Sequence, residues 1–299
     1  MQDNVKQLVD CVVRGNYSLA RQYSRILLLN DKTDKDRLFC NKRLEMLDKQ
    51  YGKKAFVELP TNLEGILQYE DLNSEDSDFI PERMYFRDFE LGIVDKVIKM
   101  QKASEALLDK KIKYCNSTLL YGESGTGKTT LAKYIAYKLE LPFVYINFSY
   151  LLDSYLGSSQ KNIARIFDFV RDKECVLMFD EIDAVGSRRG REDVGEMSRI
   201  VISLMQNIDR LSNNTVLLAA TNRLDILDEA LLRRFTFKYE IKRPESKSER
   251  LKYLTTFLDS AGYEYNLSNL ERACEENKTQ CELLNELIVA LATSIANET

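Results

Sequence analysis

The chain has 299 residues, 43 Lys/Arg against 47 Asp/Glu for a net charge of -4, 44% hydrophobic and 30% charged residues, and a mean hydropathy of -0.35. This balance fits a globular chain of one large domain or two to three modest ones, and excludes fibrous and disordered classes. It contains no histidine, which removes Ser-His-Asp and Cys-His nucleophiles, imidazole bases and imidazole metal sites. Any catalysis must run on carboxylates, Lys, Arg, hydroxyls and backbone amides.

In chain order, residues 1–56 carry twelve basic against seven acidic residues. Apolar residues at helical spacing over Val5–Val13, Leu19–Leu29 and Arg37–Leu47, broken at Gly15-Asn16 and Asn30-Asp31, predict an N-terminal helical domain of three helices. Residues 57–92 then invert the charge, two basic against ten acidic. The stretch 57–82, with EDLNSEDSD lacking apolar periodicity, predicts an acidic linker.

From 83 to 244 short β-rich runs alternate with amphipathic helices. The runs are Leu119–Tyr121, Phe143–Phe148, Val176–Phe179, Val216–Ala219 and Phe237–Ile241. The helices start at Thr129 and near Gln160–Arg171 and Glu196–Leu211. Alternation of this kind predicts an α/β domain with a parallel sheet covered on both faces. After Pro244, Lys247–Ser260, Leu267–Glu276 and Gln280–Ala296 predict a helical lid over 245–299.

Six cysteines, Cys11, Cys40, Cys115, Cys175, Cys274 and Cys281, form no C-x-x-C pair and read as small apolar residues in a reducing compartment. The N-terminus MQDNVKQLVDC lacks a basic-then-apolar leader, and no apolar run approaches the ~20 residues a bilayer requires. A cytoplasmic location without a membrane span is therefore expected.

Gly122-Glu123-Ser124-Gly125-Thr126-Gly127-Lys128-Thr129-Thr130 contains a complete G-x-x-x-x-G-K-[ST] motif after a strand and at the start of a helix. The glycines let backbone N–H groups wrap phosphate oxygens, Lys128 reaches the β- and γ-phosphates, and Thr129 ligates Mg²⁺. About fifty residues on, Val176–Phe179 ends in Asp180-Glu181. Asp180 can hold Mg²⁺ through water and Glu181 can polarise the attacking water.

With DEIDAVGSRR following that strand and Ala219–Phe235 reading AATNRLDILDEALLRRF, the chain resembles the AAA ATPases over about residues 85–296. The resemblance implies a P-loop NTPase parallel sheet, ATP and Mg²⁺ as cofactors, and a ring, a hexamer in that family. Asn222 becomes the sensor that positions the lytic water, and Arg233 and Arg234 become arginine fingers reaching a neighbour's nucleotide. Their compact Arg233-Arg234-Phe235 form resembles the vacuolar-sorting, katanin and spastin branch. Ser154-Tyr155-Leu156-Gly157 stands where unfoldases of the family carry an aromatic pore loop, so Tyr155, Leu156 and Gly157 are the candidate client contacts. Gly186–Val194 matches the place of a second, charged loop.

Two segments depart from the family pattern. Thr279-Gln280-Cys281-Glu282 replaces a Gly-Ala pair near adenine, and Phe89-Glu90-Leu91-Gly92-Ile93 only echoes the segment that packs on the base. The N-terminal helices, with Gly15-Asn16-Tyr17 between the first two, suit an adaptor-binding bundle or a small trafficking-type hairpin module. The resulting expectation is an ATP-hydrolysing protein remodeller that takes a protein client or adaptor through its N-terminal helices. The alternatives are a nucleotide-locked partner of a separate effector such as a protease, or a nucleic-acid-acting loader. The negative net charge and the lack of a basic-aromatic stripe count against the last.

Overall fold

The computed structural model divides the chain into two units, Met1–Asn62 and Leu63–Thr299. It describes residues 63–298 except 64, 75–76, 154–158, 172 and 188–193. The three helices expected over 1–56 therefore lie outside the described residues.

Six strands, β1 (Gln68–Glu70), β2 (Asn116–Tyr121), β3 (Phe143–Asn147), β4 (Cys175–Asp180), β5 (Thr215–Thr221) and β6 (Phe237–Glu240), form one sheet in the order β1-β3-β4-β5-β2-β6. The five from β3 to β6 run parallel, and β1 alone pairs antiparallel, on β3. β4 and β5 are near-continuous apolar runs, and β2 is buried over Asn116–Leu120, because both faces of these central strands are covered. On one face, Val97 of α1 (Asp88–Asp109) and Leu131 and Ile135 of α2 (Lys128–Leu139) join Leu120, Val176, Met178, Val216 and Leu218 in one buried cluster.

The alternate strand residues face the other way. There Phe179 meets Phe148 of α3 (Phe148–Asp153) at 5.3 Å and Phe167 of α4 (Ser159–Val170) at 5.6 Å between ring centroids. Each such fully buried side chain contributes about 1.5–3 kcal/mol. The five expected strands are all present, with ends shifted by a few residues at most.

The expected linker is corrected from residue 63 onward. Leu63, Ile66, Leu67 and Leu72 are buried, and Gln68–Glu70 is the edge strand of the sheet. Lys133 pairs with Glu70 at 2.7 Å, and Asn73 donates to the carbonyl of Tyr137 at 3.1 Å. Glu70 faces the Lys133 cation and Asp71 accepts from the Asn73 amide, so acidic composition alone hides a short edge strand. The long helix Asp88–Asp109 is a further element that the sequence reading does not separate.

Downstream, α5 (Ala184–Ser187), α6 (Val194–Ile208) and α7 (Glu229–Leu232) complete the α/β part. Three C-terminal helices follow, in the part of the chain where a lid is expected: α8 (Lys247–Ala261), α9 (Leu267–Ala273) and α10 (Gln280–Glu298). Ser246 and Glu249 make a reciprocal capping box at the start of α8, and Gly262 ends it in the left-handed region. Leu254, Leu258, Leu270, Cys274, Leu283 and Leu287 form the core of this helical segment. Buried Arg250 spends its guanidinium on the carbonyls of Cys274 (2.8 Å), Pro244 (3.1 Å) and Glu245 (3.2 Å). Among the described residues no helix is long and apolar enough to cross a membrane.

Candidate nucleotide site

Parallel strands deliver their following loops to one edge of the sheet, and in such folds ligands sit beyond the strands' carboxyl ends. Here β2 lies beside β5, and β5 beside β4. Register pairs Tyr121 with Thr221, and Phe179 with Ala219. The loop 122–127, the Asp180-Glu181 pair and Asn222 therefore leave the sheet as neighbours, as the motif reading requires.

The loop is built for backbone exposure. Gly122, Gly125 and Gly127 have φ of +142°, +77° and +82°, values that L side chains rarely adopt. A Cβ on Gly122 would lie 2.2 Å from the carbonyl oxygen of Ile241. Lys128 opens α2 and is 7% exposed; its ammonium donates to the carbonyls of Gly122 at 2.9 Å and Glu123 at 2.6 Å. Burial lowers its pKa, opposed by the charges of Asp180, Asp183 and Glu123. A partly desolvated cation held by loop carbonyls, beside backbone N–H groups at a helix N-terminus, suits a polyphosphate.

Thr129 donates to Asp180 Oδ2 at 2.6 Å, and the Glu181 amide donates to Asp180 Oδ1 at 3.0 Å. A hydroxyl and a carboxylate on one side of a phosphate cradle are hard oxygen donors of the kind Mg²⁺ takes together with substrate phosphates. Among the described residues no cluster of three or more His, Cys, Asp or Glu could hold a metal unaided, so phosphate oxygens would complete that set. Glu181 has φ +53°, a left-handed backbone turn at the point where β4 ends.

Asp183 is a residue that motif reading misses. Its Oδ1 accepts from Thr221 Oγ1 at 2.8 Å and from the Asn222 amide at 3.2 Å, and the Ile182 amide donates to the Ala220 carbonyl at 3.0 Å. These bonds staple the Glu181 turn to the end of β5, next to exposed Asn222. The sequence signal is the third acidic residue of Asp180-Glu181-Ile182-Asp183.

The C-terminal helical segment touches the loop directly. The Cys281 amide donates to the Gly125 carbonyl at 3.1 Å, and a Cβ on Gly125 would meet Thr279 Oγ1 at 3.0 Å. Arg243 pairs with Glu123 (Nε to Oε2, 2.8 Å) and donates to the Asn277 carbonyl at 3.0 Å. Gln280, which stands where the family pattern has glycine, is buried and reaches Tyr253 Oη at 3.2 Å and the Lys242 carbonyl at 3.4 Å.

Arg233 and Arg234 make no hydrogen bond or ion pair with the loop among the described residues. Arg233 is exposed and pairs with Glu229 at 2.7 Å. Arg234 is held by Asp209 at 3.2 Å and by the Ala230 carbonyl at 2.8 Å. Ser124, Thr126 and Thr130 lie in the loop and the first turn of α2, where Thr126 Oγ1 donates to the Glu123 carbonyl at 2.9 Å. Tyr155, Leu156 and Gly157 fall outside the described residues. Of the second expected loop, Gly186 is packed in a short helix, where a Cβ would lie 2.5 Å from the Ile226 carbonyl oxygen, and 188–193 fall outside.

Comparison with known proteins agrees with this geometry. The family described as "ATPase family associated with various cellular activities (AAA)" matches residues 118–243. The chain is 38% identical over 175 residues to the peroxisomal ATPase PEX6 of Saccharomyces cerevisiae, covering 56% of this chain and 17% of that protein. It is 35% identical over 207 residues to peroxisomal ATPase pex6 of Schizosaccharomyces pombe, covering 64% and 22%. To PEX6 of Candida glabrata it is 43% identical over 133 residues, covering 42% and 13%. The chain thus spans about a fifth or less of the length of these relatives. The P-loop, the strand ending in Asp180-Glu181 and the Asn222 segment all fall inside residues 118–243, the part of the chain that matches the AAA ATPase family model.

Proposed function

We propose that the chain hydrolyses ATP with Mg²⁺ and uses the cycle, as part of a ring, to remodel a polypeptide client. The observation that carries the catalytic part is the 2.6 Å bond from Thr129 to Asp180, which joins the phosphate loop to the strand bearing Glu181. Thr129 and Asp180 would hold Mg²⁺, which would supply charge neutralisation for the phosphate oxygens. Lys128 leaves its loop carbonyls for those oxygens, and the loop amides hold the rest of the polyphosphate.

Water attacks the γ-phosphorus as the bond to the β,γ-bridging oxygen breaks, giving ADP and phosphate. Glu181 orients the water and accepts its proton, and Asn222 fixes the water's other side. What supports a trans role for Arg233 is its exposure and its distance in the bond network from its own chain's loop; two guanidiniums from a neighbour would stabilise the spread transition-state charge. A trans finger requires an oligomer, for which we take the family's hexamer. Tyr155, Leu156 and Gly157 would grip the client through apolar contact, the N-terminal helices would select it, and the protein would act in the cytoplasm.

Titration with a fluorescent ATP analogue, with and without Mg²⁺, tests the reading at its base. Micromolar, Mg²⁺-strengthened binding that Lys128→Ala loses is expected, and undiminished binding by that variant would overturn it.

A further inference from the structure

Both oxygens of Asp180 are committed by three donors from three elements. The Glu181 amide takes Oδ1, while Oδ2 accepts from Thr129 Oγ1 of α2 at 2.6 Å and from Tyr145 Oη of β3 at 3.3 Å. The first two donors belong to the motifs. Tyr145 belongs to none, and sits in the middle of a neighbouring strand.

The sheet register explains how it reaches. Tyr145 stands opposite Met178, and Asn147 opposite Asp180. Two strand residues separate Tyr145 from its target, a step of roughly 6.6 Å, and by the period of two its side chain shares the face of Asp180. A tyrosine carries its hydroxyl about that far from its backbone, whereas serine or threonine at the same position would fall short. The ring itself is fixed. It stacks on Phe143 at 6.2 Å with a 29° interplanar angle, packs against the cluster under α2, and has its strand clamped between β1 and β4.

We propose that Tyr145 is a positioning residue for the metal-side carboxylate. Its hydroxyl holds Asp180 in one rotamer, so that the carboxylate faces the metal position between Thr129 and the phosphates before nucleotide arrives. This rests on the reading of the site as one for Mg²⁺ and ATP. Of the three donors, Thr129 would turn to the metal when Mg²⁺ binds, which leaves the Glu181 amide on Oδ1 and Tyr145 on Oδ2 to limit the rotation of the carboxylate. Losing a donor to a charged acceptor weakens the arrangement on the scale of one charge-assisted hydrogen bond.

The test uses the full chain and Tyr145→Phe, which keeps the ring and removes only the hydroxyl. Thermal protection by ADP is followed across a Mg²⁺ titration, alongside ADP affinity in EDTA and the melting temperature of the unliganded protein. The Mg²⁺ concentration at half-protection should rise about 3- to 10-fold, with the EDTA affinity and unliganded melting temperature unchanged. An unchanged Mg²⁺ midpoint would overturn the proposal, as would a lower unliganded melting temperature with no midpoint shift, which would make Tyr145 a packing residue alone. Absence of any Mg²⁺-dependent protection in the unsubstituted protein would instead sink the underlying reading, and is told apart because it needs no variant.

Discussion

The hydroxyl of Thr129 and the carboxylate of Asp180, fifty-one residues apart, meet at 2.6 Å. The first turn of α2 and the last residue of β4 are thereby locked across the loop that a phosphate would enter. Thr129→Val, isosteric but unable to donate or ligate, should abolish Mg²⁺ enhancement of nucleotide binding while leaving binding in EDTA within a few-fold. Calorimetric titration in the two buffers reads the difference.

Lys128 separates function from stability. Burial lowers its pKa, so the fold disfavours its charged form and supports it with two loop carbonyls. Lys128→Met keeps the stem and discards that cost. Nucleotide affinity should fall at least ~100-fold, on the scale of a lost charge-assisted contact to phosphate, while the melting temperature of the unliganded protein stays level or rises. Differential scanning fluorimetry with and without ATP measures both.

Arg233 and Arg234, adjacent in sequence, should behave differently. The exposed pair of Arg233 with Glu229 is worth ~0.5 kcal/mol or less, so Arg233→Ala should melt like the unsubstituted protein, bind ATP normally and hydrolyse it at least ~10³-fold more slowly. Arg234→Ala additionally loses Asp209 and the Ala230 carbonyl and should melt lower. Mixing Arg233→Ala with Lys128→Ala protein should restore part of the ATPase rate, because some interfaces then pair an intact site with an intact finger. No recovery at any ratio would argue against action in trans.

Much of this architecture is legible in the sequence. The α/β alternation, the phosphate loop and the acidic end of β4 follow from periodicity and motif spacing, since each depends on residues close in sequence. The edge strand Gln68–Glu70 is not, because three residues amid acidic neighbours carry no periodicity, and its pairing to β3 is seventy-odd residues away. Tyr145 is hidden for a related reason. On a strand it reads as one more β-forming aromatic, and only the β3–β4 register turns it toward Asp180. Asp183 and the contact of Thr279 and Cys281 with Gly125 are likewise products of tertiary placement.

Asn213 tests the fold beneath the site. It is 2% exposed, accepts from the Tyr114 amide at 3.1 Å, and donates to the carbonyls of Ser104 at 3.0 Å and Ile112 at 3.1 Å. It thus ties the end of α1 to the loop before β5. Asn213→Ala strands these buried groups and should cost about 2–4 kcal/mol, read by urea denaturation at constant slope.

The most direct test is phosphate release by the full chain with Mg²⁺ and ATP, compared with its Glu181→Gln variant at equal nucleotide occupancy. The account predicts steady turnover for the unsubstituted protein, and a variant that binds ATP as tightly but releases phosphate at least ~100-fold more slowly, because the carboxylate that takes the proton of the attacking water is gone. Equal rates from the two proteins, or no turnover by the unsubstituted protein while it holds Mg²⁺ and ATP in its oligomeric form, would contradict it.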